Sequence, residues 1–145
     1  MAALASFQTG QPYSVISAID VNEDGNLTDR IDSTAGLSFI EEGRARLGLA
    51  SGTASSSLLA AQGSPGKLGR NTFRAQGIVN VDVSVLKQFR FSDRQRFEFR
   101  TEAFNLFNRP HFGIPVRTLE SPGFGQSIDT VGDARRIQFA FKYLF

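Results

Sequence analysis

Cysteine and tryptophan are absent from this chain of 145 residues, and histidine occurs once. Without cysteine there can be no disulfide, no thiolate metal site and no thiol redox chemistry. A single histidine, His111, gives neither a two-histidine transition-metal site nor the base of a matched triad, and beside Pro110 it reads as a loop residue. No apolar run approaches the ~20 residues that a membrane-spanning helix requires. The opening MAALASFQTG lacks both a basic stretch and an apolar stretch, so it is not a secretory signal. The rest of the chain looks exported, and we therefore expect that the N-terminal part of a longer protein is missing. Lysine is scarce, three against thirteen arginines, and the net charge is only +2. The field is too weak to suggest nucleic acid as a partner.

What is present is unevenly spread. Twelve of the 14 phenylalanines lie at or after Phe73. Between Asp20 and Glu42 seven acids face one base, Arg30, whereas from Lys67 onward thirteen bases face seven acids. The C-terminal half alternates with period two, the mark of strands with unlike faces. Val79, Val81, Val83, Val85, Phe89 and Phe91 alternate with Asn80, Asp82, Ser84, Gln88 and Arg90. After the polar turn Ser92–Arg94, Phe97, Phe99, Thr101 and Ala103 alternate with Arg96, Glu98, Arg100 and Glu102. Ile137, Phe139, Phe141, Tyr143 and Phe145 repeat the pattern at the end of the chain.

These patterns predict an all-β chain of four antiparallel strands, at about 3–19, 78–91, 95–107 and 135–145. The first is irregular, because Gly10 and Pro12 interrupt it. Two long loops separate the strands, 20–77 and 108–134, the former with a short helix or a mobile stretch around Ser55–Gln62. Aromatics at strand ends, and connections that alternate long and short, favour the wall of a transmembrane β-barrel over a soluble sandwich. A wet lumen would also solvate Arg96, Glu98, Arg100 and Glu102, which a dry core would not. Residues 1–145 then form one barrel segment.

Specific stretches carry a resemblance. The final strand, with Ile137, Phe139, Phe141, Tyr143 and Phe145 at alternate positions, resembles the insertion signal of bacterial outer-membrane barrels. GRNTFR at Gly69–Arg74, the strand Val79–Phe91, EAFNLFNRPHFG at Glu102–Gly113 and GDARRIQFAFKYLF at Gly132–Phe145 resemble the C-terminal end of TonB-dependent receptors. They are most similar to the Oar-like, carboxypeptidase-regulatory-like group. TGQPYSV at Thr9–Val15, followed by DVNEDG and Asp29-Arg30, resembles an earlier strand and loop of the same receptors. Residues 1–30 and 67–145 are covered, and Ile31–Pro65 departs from the pattern.

The resemblance implies an energised importer of the Gram-negative outer membrane, whose barrel encloses an N-terminal plug. It implies the barrel-assembly machinery as a partner, and TonB only through the absent N-terminal part. It also implies periplasmic turns at Met1, Ser92–Arg94 and Phe145, with loops 20–77 and 108–134 on the cell exterior. Siderophore, oligosaccharide and peptide are all open as cargo.

One further cluster suggests a ligand. Asp20, Asn22, Asp24 and Asn26, with Gly25 at the sixth position, have the alternating oxygen spacing of a calcium loop. The twelfth position is Ile31, so Asp29 or Asp32 would have to replace the usual glutamate. An acidic turn held by its own Asx hydrogen bonds fits the same residues. Glu98 and Glu102, interleaved with Arg96 and Arg100, read as a lumenal ion-pair ladder, and no constellation here is catalytic. Two other classes of function compete with the importer wall. One is a structural β protein that self-assembles through its strand edges, as a homo-oligomer or fibre; the other is an extracellular calcium-binding module.

Overall fold

A computed structural model describes residues 1–41 and 43–145. In chain order the strands are β1 (Ala2–Gln8), β2 (Pro12–Tyr13), β3 (Leu37–Phe39), β4 (Leu47–Leu49), β5 (Phe73–Arg74), β6 (Ile78–Arg90), β7 (Arg96–Phe104) and β8 (Arg136–Leu144). One 3₁₀ turn, Ser55–Leu58, lies between β4 and β5, and the described residues contain no α-helix. The chain divides into two compact units: 1–8 with 77–111 and 132–145, and 9–76 with 112–131.

The first unit is a four-stranded antiparallel sheet in the order β1-β6-β7-β8. Its longest strand, β6, is shared between two partners. Ile78–Ser84 pairs with β1 and Val83–Arg90 with β7, so the neighbours are offset along it. Such a stagger is what tilted barrel strands require. The β6–β7 connection is tight: the Phe91 N–H donates to the Gln95 carbonyl at 3.0 Å, and the Ser92 hydroxyl accepts from the Arg94 and Gln95 N–H groups.

Two strands stop short of their sequence-based limits. The expected strand 3–19 ends at Gln8, because Gly10 is pressed against the Ala75 carbonyl so closely that a Cβ would lie 1.7 Å from its oxygen. Beyond it Pro12 and Tyr13 pair with Arg74 and Phe73 in a separate ribbon. The expected strand 95–107 ends at Phe104, because Asn105 turns to a left-handed φ of +48°. Its amide Oδ1 accepts the Arg109 N–H at 3.0 Å, and its Nδ2 donates to the carbonyls of Arg109 and Asp133. Asn108 Oδ1 accepts from the Arg135 N–H. Both ends of the 109–134 excursion are thereby tied to one turn.

The second unit shows what the two long loops do. The excursions fold together around a small core of Tyr13, Val15, Ile31, Leu47, Leu58, Phe73 and Leu119. The stretch around Ser55–Gln62 is neither a proper helix nor loose: its single 3₁₀ turn delivers Leu58 to this core. Ile16 exchanges backbone hydrogen bonds with Arg117 and Leu119. The Ser17 hydroxyl and the Ala18 N–H donate to the two carboxylate oxygens of Glu120. Gly125, at φ +75°, approaches the Leu47 backbone more closely than any side chain would allow, and its carbonyl accepts from Arg46 and Leu47. Burial of seven apolar side chains offsets the entropy of ordering these segments.

Candidate functional site: a two-faced wall

Cross-strand partners in an antiparallel sheet point to the same side, so the register assigns the faces. Ala3 pairs with Val83, Val83 with Ala103 and Ala103 with Ile137. Phe89 pairs with Phe97 and Phe97 with Tyr143; Phe99 pairs with Phe141 and Thr101 with Phe139. All of these share one face, and the alternation read from the sequence meets correctly in three dimensions.

The apolar face is a continuous aromatic field. Phe99 lies 5.0 Å from Phe141 and 6.2 Å from Phe139, ring centre to ring centre. Phe97 lies 6.0 Å from Phe141 and 6.4 Å from Phe89, and Tyr143 contacts Phe145 at 5.9 Å. These rings touch one another but are not covered: Phe139 and Phe141 are 62% and 68% exposed. One cation belongs to this face, Lys87, whose ammonium lies 5.7 Å from the Phe89 ring centre.

The opposite face is polar, and its bonds differ from an ion-pair ladder. Gln88 donates to Glu98 at 2.7 Å, and Gln138 donates to Glu102. The single ion pair on this face among the described residues is Arg100–Glu102, at 3.9 Å. Glutamine amides opposite the carboxylates, more than arginines beside them, satisfy the glutamates. At the end of the sheet away from the tight turn, Arg136 stacks on Phe104 at 4.9 Å, and Asp82 accepts from the Asn105 N–H. Neither contact is signalled by periodicity, because both depend on register.

The acidic turn is well formed. Asp20 accepts from the N–H groups of Asp24 and Gly25, and Asn22 Oδ1 also accepts from Asp24. Gly25 takes φ +88°, the tight turn that a calcium loop places at this position. The Asn26 N–H, 2.8 Å from Asp24 Oδ1, holds the Asp24 carboxyl below its ordinary pKa. Asp29 is buried at the neck, where Oδ2 accepts from Val21 and Asn22. Ile31 is fully buried in the core and Asp32 pairs with Lys67. Asp20, Asn22, Asp24 and Asn26 are thus brought together, whereas Asp29 closes the neck of the turn through backbone N–H groups and Asp32 is engaged elsewhere. No three acidic or histidine side chains among the described residues converge as a metal cluster. His111 lies in a loop, as expected, and there it is buried, with neither ring nitrogen paired among the described residues.

A sheet with a wet charged face, an uncovered aromatic face and staggered strands is the form a barrel wall takes in a membrane. A family model described as "Outer membrane beta barrel domain" matches residues 1–138. The chain belongs to the outer membrane β-barrel domain family. No curated protein and no solved structure matches it. Membership places the barrel domain in the outer membrane, with its strands as wall. The match runs through both compact units, so the folded excursions belong to the domain as much as the sheet does.

Proposed function

We propose that this barrel domain forms the C-terminal wall of a TonB-dependent importer, with a structural and conductive role and no catalysis of its own. The observation that carries the reading is β8. It pairs with β7 along its whole length and presents Ile137, Phe139, Phe141 and Tyr143 on one exposed face, as the receptor resemblance of Gly132–Phe145 implies. In this reading the apolar face meets lipid and the polar face lines the lumen. The tight β6–β7 turn is periplasmic, and the excursions 9–76 and 112–131 stand at the cell exterior. β8 is the strand that the barrel-assembly machinery takes up.

The test uses the complete parent protein in cells. Tyr143→Asp, or removal of Phe145, should reduce outer-membrane insertion at least tenfold at equal synthesis, and undiminished insertion would refute the assembly role. Cargo uptake that persists in a strain without TonB would refute the importer role separately.

A second reading, calcium at the acidic turn, is favoured by the Gly25 backbone and the convergence of Asp20, Asn22 and Asp24. With Asp29 committed to backbone N–H groups, affinity would be of the extracellular kind, on the order of 0.1–1 mM. Calcium should raise the melting temperature of the wild-type protein and not of Asp24→Ala. A flat calcium titration of the wild type would leave only an acidic turn.

A further inference from the structure

The second unit contains a cleft of about 290 Å³ that none of the preceding roles uses. One wall is built from three aromatic rings in sequence. Phe39 of β3 stacks on Phe73 of β5 at 6.3 Å, and Phe73 lies 5.7 Å from Tyr13 of β2. Tyr13 and Phe73 are core residues, yet Phe39 is 69% exposed. Packing therefore holds the inner two rings, while the third presents a face to solvent.

Arg46 and Arg74 line the same cleft, together with Thr72. Each guanidinium is anchored by one backbone carbonyl: Arg46 donates to Ala45 at 2.7 Å and Arg74 to Gly10 at 3.3 Å. An arginine presents five donors in a planar fork, so most of each fork remains for a ligand. Neither arginine is in an ion pair among the described residues. The Arg46 charge also reaches inward, where it partly opposes the rise that burial imposes on the Tyr13 phenol. Glu41 borders the cleft as well, so among the described residues two cations face one carboxylate and one positive charge is in excess.

We propose that this cleft binds a small planar monoanion, an aromatic carboxylate, with its ring against Phe39 and its carboxylate on Arg46 and Arg74. The volume, at the lower limit of small-molecule pockets, suits one or two fused rings and not a polymer. Aromatic faces attract a flat apolar body through stacking. Arginine forks match the two oxygens of a carboxylate, a fit that a neutral or cationic head group lacks. The inference stands on the second unit alone and holds whether or not the wall belongs to an importer.

The test is calorimetric titration of the full chain in detergent micelles with three probes of one shape: 2-naphthoate, 2-naphthylmethanol and 2-naphthylmethylammonium. The expected result is saturable one-to-one binding of naphthoate, at least tenfold tighter than the alcohol and tighter still than the ammonium. Arg46→Gln should remove most of that preference, and Arg46→Lys should keep part of it. Phe39→Ala should weaken all three probes by a similar factor. Among the described residues the Arg46 side chain bonds only to its neighbour's carbonyl, so its replacement tests the charge without disturbing the β2–β5 pairing that Arg74 supports. Equal uptake of the three probes, or unsaturable uptake by the exposed phenylalanines, would overturn the proposal. So would a preference for naphthoate that survives Arg46→Gln.

Discussion

Asn105 shows how one side chain can end a strand and close a loop together. Its left-handed φ stops β7, and its amide uses both ends, accepting from Arg109 and donating to Arg109 and Asp133. The side chain is buried and its three bonds are part-buried, so water replaces it only in part. Alanine at this position would leave three backbone groups unsatisfied and keep a Cβ in a conformation that asparagine tolerates better. We expect Asn105→Ala to cost about 2–4 kcal/mol, read from the urea midpoint of the detergent-folded chain. A loss under about 0.5 kcal/mol would mean that the turn is held by something other than this amide. The asparagine is visible in the sequence, and its spacing before Asn108 suggests a turn. The distant partner Asp133 is not, because the contact spans 28 residues.

At the scale of the element, β7 is where the two faces can be separated by experiment. Phe99 sits between Lys87 and Phe141 across the sheet, and its ring packs on Phe139 and Phe141. Glu98, the preceding residue, lies between Gln88 and Lys142 on the other face. With the aromatic face against lipid, as proposed, an arginine at position 99 must enter that surface, and near mid-bilayer this costs about 2–4 kcal/mol. An arginine at position 98 remains solvated, and loses only the bond from Gln88 and some favourable charge opposite Lys142. Phe99→Arg should therefore be much the more damaging in equilibrium unfolding of the complete parent barrel from lipid vesicles. Equal losses at the two positions would remove the assignment of faces. The stagger of β6 between β1 and β7 belongs to this scale too, since it sets which residues become opposite partners.

For the whole molecule the open edges matter most. β1 and β8 are the outer strands of the sheet, and in lipid each unpaired N–H or C=O costs several kcal/mol. In water the difficulty is the face on which Phe89, Phe139, Phe141 and Tyr143 are exposed beside the half-buried Phe97 and Phe99, an apolar patch that a stable soluble monomer rarely tolerates. The 145-residue chain on its own should therefore associate, through edge pairing with copies of itself, at any concentration where it stays folded. Sedimentation in mild detergent should show species larger than one chain. A lone monomer whose aromatic face is dry would contradict the membrane reading of that face.

Alternation with period two is enough to establish strands β6, β7 and β8 and the side each residue takes. Side-chain direction along a strand is a local property of the backbone, and any register that keeps one face apolar preserves it. The DVNEDG turn is legible for the same reason, since its hydrogen bonds run between residues two to five apart. Where β1 stops, by contrast, depends on Gly10 meeting Ala75, and the core of the second unit joins residues as distant as Tyr13 and Leu119. Nothing local in either excursion announces that it will pack against the other. The arginine-bordered cleft arises the same way, because Phe39, Arg46 and Arg74 become neighbours only after β2–β5 and β3–β4 have paired. Short-range geometry thus writes the two-faced wall into the amino-acid order. That the long connections form a folded unit follows only from tertiary packing, because contacts between distant segments are chosen by the burial they achieve together.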